Sequence, residues 1–167
     1  MTLRQHSPLA LAILLAACGG GEPEKPKEAA APATFPAGEW EVTTATESLK
    51  STDGSTPATT HSVGATKVAR VCAAPGPKPD PALFAETGDT CTAATAYARD
   101  GRVNLVYNCE RPARGQVAVT VDGNYDANSF EVVSAIGSYF KADGDYSMNQ
   151  RLKGKRLGEC TAPAASG

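Results

Sequence analysis

The sequence predicts an all-β domain, a single antiparallel, strongly curved meander sheet or open barrel of six to seven strands with at most one short helix. Three observations lead there. Beyond Pro36, short segments rich in Val, Thr, Tyr and Phe alternate apolar with polar residues at period two. Turn formers such as Asp100-Gly101 and Asp143-Gly144 separate them at hairpin distance. Only residues 81–86 read as helical, and the prolines and glycines just before them limit that to about one turn. Antiparallel sheets of this size curl or close.

Strands are expected at residues 38–47, 59–71, 91–98, 102–109, 116–121, 129–139 and 146–152. In the first, Trp40, Val42 and Thr44 share one face while Glu39, Glu41 and Thr43 take the other, as a half-buried strand requires. The series Val103, Leu105, Tyr107, then Val117, Val119, Val121, then Phe130, Val132, Ile136 repeat the pattern and supply the core. Turns at Asp100-Gly101, at 112–115, at Asp122-Gly123-Asn124 and at Asp143-Gly144 fit an up-and-down order.

The N-terminus reads as a lipoprotein signal over residues 1–17. Arg4 is its basic region, Leu9 to Leu15 its apolar run, and Ala16-Ala17 the small residues before the cut. Cys18 is then the lipidated mature N-terminus, and the expected partner is the membrane, reached through this anchor. A plain secretory signal with an incidental cysteine is the alternative. Gly19, in place of the aspartate that retains lipoproteins at the inner membrane, favours the outer membrane facing the periplasm. Residues 18–36, with Pro23, Pro26, Pro32, Pro36 and one aromatic, Phe35, read as a disordered tether. The β domain is expected over 37–161 and a disordered tail over 162–167. No later run approaches the roughly 20 apolar residues of a membrane-spanning helix. A net charge of −2 gives no electrostatic footprint for nucleic acid.

Five cysteines are an odd number, and lipidation of Cys18 leaves four to pair. Their successive spacings of 19, 18 and 51 lack the close pairs of structural zinc sites, which favours disulfides in an oxidising compartment. Cys91 and Cys109 stand symmetrically about Asp100, so a hairpin turning there sets them opposite one another and leaves Cys72 for Cys160. Linkage of Cys72 to Cys91 or to Cys109 stays open.

The domain starts with Gly38-Glu39-Trp40-Glu41-Val42-Thr43 and ends with Gly154-Lys155-Arg156-Leu157-Gly158-Glu159-Cys160. With Cys72, Cys91 and Cys109 between them, these segments resemble the bacterial envelope family known as domain of unknown function 3617, over about residues 35–160. The resemblance implies an exported, disulfide-bonded β domain and no reaction. Where that family often continues its first cysteine with a Thr-Pro-type turn, this chain has Ala73-Ala74-Pro75.

No arrangement of residues points to catalysis, a metal or a cofactor. His61 is the single histidine after the signal, and among Thr59, Thr60 and Ser62 it reads as solvent-exposed. Glu39 and Glu41 have the spacing of paired carboxylates and equally that of a solvated strand face. Asp122, Asn124, Asp126 and Asn128 alternate as oxygen ligands do in calcium loops, but position 12 counted from Asp122 is Val133 rather than glutamate. Trp40, Tyr97, Tyr107, Tyr125, Tyr139 and Tyr146 read as core and rim of a curled sheet, or as the lining of a concave binding face. The expected function is a non-enzymatic, lipid-anchored binding or structural module whose protein or small-ligand partner is open. The alternatives are a periplasmic hydrolase inhibitor presenting the loop 73–90, and a carrier of a small apolar ligand.

Overall fold

The computed structural model describes residues 32–160. The expected signal, Cys18 and the tail lie outside the described residues. Seven strands form one antiparallel sheet: β1 (Gly38–Ser51), β2 (Thr66–Ala73), β3 (Thr90–Arg99), β4 (Arg102–Arg111), β5 (Gly115–Tyr125), β6 (Ser129–Phe140) and β7 (Tyr146–Gly158). The expected helical turn is a 3-10 turn at Pro81–Leu83. Asp80 caps it by accepting from the Ala82 amide at 2.9 Å.

The strand order is β2-β1-β7-β6-β5-β4-β3. Hairpins join β3 through β7 in sequence as expected, but the meander does not begin at β1. That strand pairs with β7 from Glu39↔Gly158 to Ser51↔Tyr146, which leaves β2 and β3 as the two edges. The sheet is open between them. It curls far enough for the 3-10 turn to touch both edge strands.

Period-two patterning builds one buried face from β1 and from β4 through β7. Trp40 and Val42, the Val103–Leu105–Tyr107 series, Val117–Val119–Val121, Phe130 and Val132, and Tyr146, Met148 and Leu152 all point inward. Inside are also four of the six singled-out aromatics, Trp40, Tyr107, Tyr125 and Tyr146, whereas Tyr97 and Tyr139 are exposed on the outer face. Burying a large side chain of this kind is worth about 1.5–3 kcal/mol, so this face carries most of the fold's stability.

Three expectations need correction. The strand placed at 59–71 starts at Thr66, because residues 52–65 are a loop tied down elsewhere: Ala58 N–H donates to the Gly144 carbonyl at 2.8 Å and Gly64 N–H to the Thr46 carbonyl at 2.8 Å. Asp122-Gly123-Asn124 is not a turn but the continuation of β5. Gly123 faces Val132 across the ladder, where a β-carbon would stand 2.3 Å from the Glu131 carbonyl oxygen, so glycine is there for close approach. The turn falls at Asp126, whose carboxylate accepts from the amides of Asn128 and Ser129 at 2.6 and 2.7 Å. Finally, the tether expected over 18–36 is docked at its end. Phe35 is buried against Trp40, Phe84, Tyr125 and Phe130, and the Pro32 carbonyl accepts from the Tyr125 hydroxyl at 3.2 Å.

Two disulfides close the structure, Cys72–Cys160 and Cys91–Cys109. The second joins residues directly opposite on β3 and β4, with Cα atoms 4.0 Å apart. A two-residue turn alone would set Cys91 against Glu110. An irregularity between Ala93 and Thr95 shifts the register by one and restores the cysteine pair.

Candidate functional site

Most inward positions are apolar, but one sector of the concave face is polar. Thr46 on β1, Ser134 and Ser138 on β6, and Gln150 on β7 are buried there. Two connections converge on this sector. Loop 52–65 folds back over the β6–β7 turn, and segment 74–89 crosses from β2 to β3, burying Leu83 and Phe84 beneath the curl. Tyr107 fastens the crossing from below by donating its hydroxyl proton to the Pro79 carbonyl at 2.7 Å. Burial, and then the nearby Asp80 charge, push this phenol's pKa up, so it stays a donor.

The loop delivers His61 and the crossing delivers Glu86. His61 Nε2 stands 3.1 Å from Glu86 Oε1, and His61 Nδ1 lies 3.3 Å from Gln150 Nε2. With the Gln150 amide nitrogen as donor, Nδ1 is the acceptor of that pair. Glu86 Oε1 is nonetheless buried with no hydrogen bond of its own. The other Glu86 oxygen is 3.2 Å from Arg111 NH2. Arg111 also makes a two-pronged pair with Asp89, at 2.9 and 2.8 Å, and donates to the Tyr146 hydroxyl at 3.1 Å. The Asp89 bonds hold the guanidinium above even its ordinary range despite partial burial, so it is permanently charged. Tyr146 is raised by burial first and by Glu86 second, and remains neutral.

Between this network and the strands lies a recess of about 290 Å³. Val42, Val71, Leu83, Phe84, Ile136 and Leu152 form its apolar wall, and His61, Glu86 and Gln150 its polar end. That volume sits at the lower limit of small-molecule pockets, about 300 Å³, which fits a fragment-sized occupant.

His61 is therefore not solvent-exposed as expected: its side chain is 16% accessible and both ring nitrogens are engaged. Sequence reading missed Glu86, Asp89, Arg111 and Gln150. Gln150 did carry a signal, because it interrupts the inward series Tyr146, Met148, Leu152. Glu39 and Glu41 lie on the outer face, away from the recess, and Asp122 accepts from the Asn104 side chain at 3.0 Å. Among the described residues no group of three or more His, Cys, Asp or Glu side chains is placed to hold a metal ion.

A family model described as protein of unknown function (DUF3617) matches residues 32–160. The chain belongs to this family. The match starts at Pro32, where the structure shows the domain docking its N-terminal segment, and ends at Cys160, the partner of Cys72. No curated protein and no solved structure matches the chain.

Proposed function

We propose that this DUF3617 protein is a non-enzymatic binding module of the bacterial cell envelope, anchored by lipid at Cys18, whose curled sheet holds a small ligand in the recess beside His61, Glu86 and Gln150. The observation that carries the reading is the recess itself, an apolar wall ending in a polar cluster, with a crossing segment folded over it. Binding rather than catalysis is supported by His61, whose ring nitrogens face Glu86 and Gln150 rather than a serine, threonine or cysteine side chain. The two disulfides fit an oxidising compartment, and the lipoprotein signal read over residues 1–17, followed by Cys18, supports the address. The inhibitor reading loses its support. It required segment 73–90 to protrude, and that segment instead buries Leu83 and Phe84.

Native mass spectrometry of the protein isolated from its own cells tests this. The expected result is a small adduct that is lost on denaturation. A bare mass in every preparation overturns the binding role.

A further inference from the structure

We infer that the recess recognises a small amphipathic amine, its ammonium group held by Glu86 beside Gln150 and its hydrocarbon part laid along Val42, Val71, Leu83 and Ile136. This rests on the binding role proposed above and adds the chemistry of the ligand.

At the polar end the strong donors are committed within the network. The guanidinium of Arg111 faces Asp89, Glu86 and Tyr146, and the amide nitrogen of Gln150 faces His61 and Thr46. The hydroxyls of Thr44, Thr60 and Thr87 also border the recess, as neutral donors. Glu86 lines the recess, and its Oε1 is buried without a hydrogen-bond partner among the described residues. A buried carboxylate oxygen left without a donor is costly, and a ligand N–H aimed at it recovers that cost.

Charge points the same way. Glu86 and Asp89 are two carboxylates against the one guanidinium of Arg111, an excess of one carboxylate. Lys67 also borders the recess, but it is exposed on edge strand β2, where its ammonium is hydrated and not committed to the polar end. A carboxylate ligand would meet the like charge of Glu86. An alcohol could satisfy the oxygen but not the charge. An ammonium satisfies both, with charge-assisted hydrogen bonds roughly twice as strong as neutral ones.

The test is calorimetric titration of the mature chain beginning at Cys18, unacylated, with 1-aminohexane, 1-hexanol and hexanoate. The amine should bind about tenfold or more tightly than either competitor and shift the Gln150 side-chain amide resonance. Glu86→Gln, which keeps the shape and removes the charge, should bring amine and alcohol to near parity. Gln150→Leu should weaken the amine while leaving the fold intact by circular dichroism. Hexanoate or hexanol binding as tightly as the amine overturns the amine assignment and leaves a ligand recess standing. Silence from all three compounds overturns the assignment too, and silence together with a bare native mass overturns the binding role as well.

Discussion

Asp53 and Gly144, 91 residues apart in the chain, are joined by a 2.8 Å hydrogen bond from the Gly144 amide to the Asp53 carboxylate. The next amide, Asp145, donates to the same oxygen at 2.9 Å, while Ser55 donates to the other through both its amide and its hydroxyl. A single side chain therefore fixes the start of loop 52–65 to the β6–β7 turn. That loop carries His61. Asp53 touches nothing in the recess, yet it sets where one wall of the recess can stand.

These bonds, that from the Ser55 side chain foremost, hold the Asp53 pKa well below the usual carboxylate range. A depressed folded pKa means the stabilisation is complete above the unfolded value of about 4 and is lost as pH falls below it. Asp126 shifts the same way, through bonds from Ser129 and Asn128. Asp53→Ala should therefore unfold at a lower temperature than the parent at pH 7, and the gap should narrow as the pH drops from about 4 towards 2. Melting curves across that range check it. A gap constant with pH would mean the carboxylate charge does not hold the loop.

Phe35 makes the N-terminal boundary of the fold measurable. It sits in an aromatic cluster with ring centroids 4.9–6.0 Å away, and the nearby Trp40 indole donates to the Pro36 carbonyl at 3.3 Å. A chain starting at Pro32 should melt as the mature chain does. Starting at Ala37 instead, or carrying Phe35→Ala, it should lose about 3 kcal/mol, the usual cost of deleting a buried phenylalanine ring. Urea denaturation decides this. Equal midpoints for all of these chains would show that the segment merely lies against the surface.

What could be read in the sequence was local. Strand faces followed from period-two spacing, and four of the six partnerships in the sheet are hairpins set by nearby turn residues. The β1–β7 pairing joins the two ends of the domain and leaves no local mark, so the edge positions of β2 and β3 were out of reach. The run Thr59-Thr60-His61-Ser62 has strand-like threonines, yet Asp53 and the Gly144 carbonyl hold it as a loop, a tertiary effect that overrides propensity. His61 looked exposed for the same reason. Its partners Glu86 and Gln150 reach it only through that loop and the crossing segment, and neither path is written near residue 61.

The two disulfides should contribute unequally. Cys72–Cys160 spans a sequence separation of 88 and ties edge strand β2 to the C-terminal end, whereas Cys91–Cys109 spans 18 within one hairpin. Loop-closure entropy assigns them about 4.5 and about 3 kcal/mol. The pair Cys72→Ala with Cys160→Ala should thus destabilise the domain by roughly 1.5 kcal/mol more than Cys91→Ala with Cys109→Ala. Denaturant midpoints measure the difference. Peptide mapping without reduction tests the pairing itself, and a Cys72 to Cys91 or Cys72 to Cys109 linkage would refute it.

The proposed membrane attachment rests on Cys18. One acyl chain gives only marginal, reversible binding, with a partition constant of about 10⁴ M⁻¹, so stable attachment needs the several chains that lipidation places on the sulfur and amine of a lipoprotein cysteine. Serine accepts no thioether-linked lipid. Cys18→Ser should therefore move the protein from the membrane fraction to the soluble fraction while leaving both disulfides and the melting temperature unchanged, because Cys72, Cys91, Cys109 and Cys160 pair among themselves. Fractionation after osmotic shock checks the first part, and thermal melting the second. Equal membrane retention of the parent and Cys18→Ser would remove the anchor, and with it the envelope surface as the place where the recess meets its ligand.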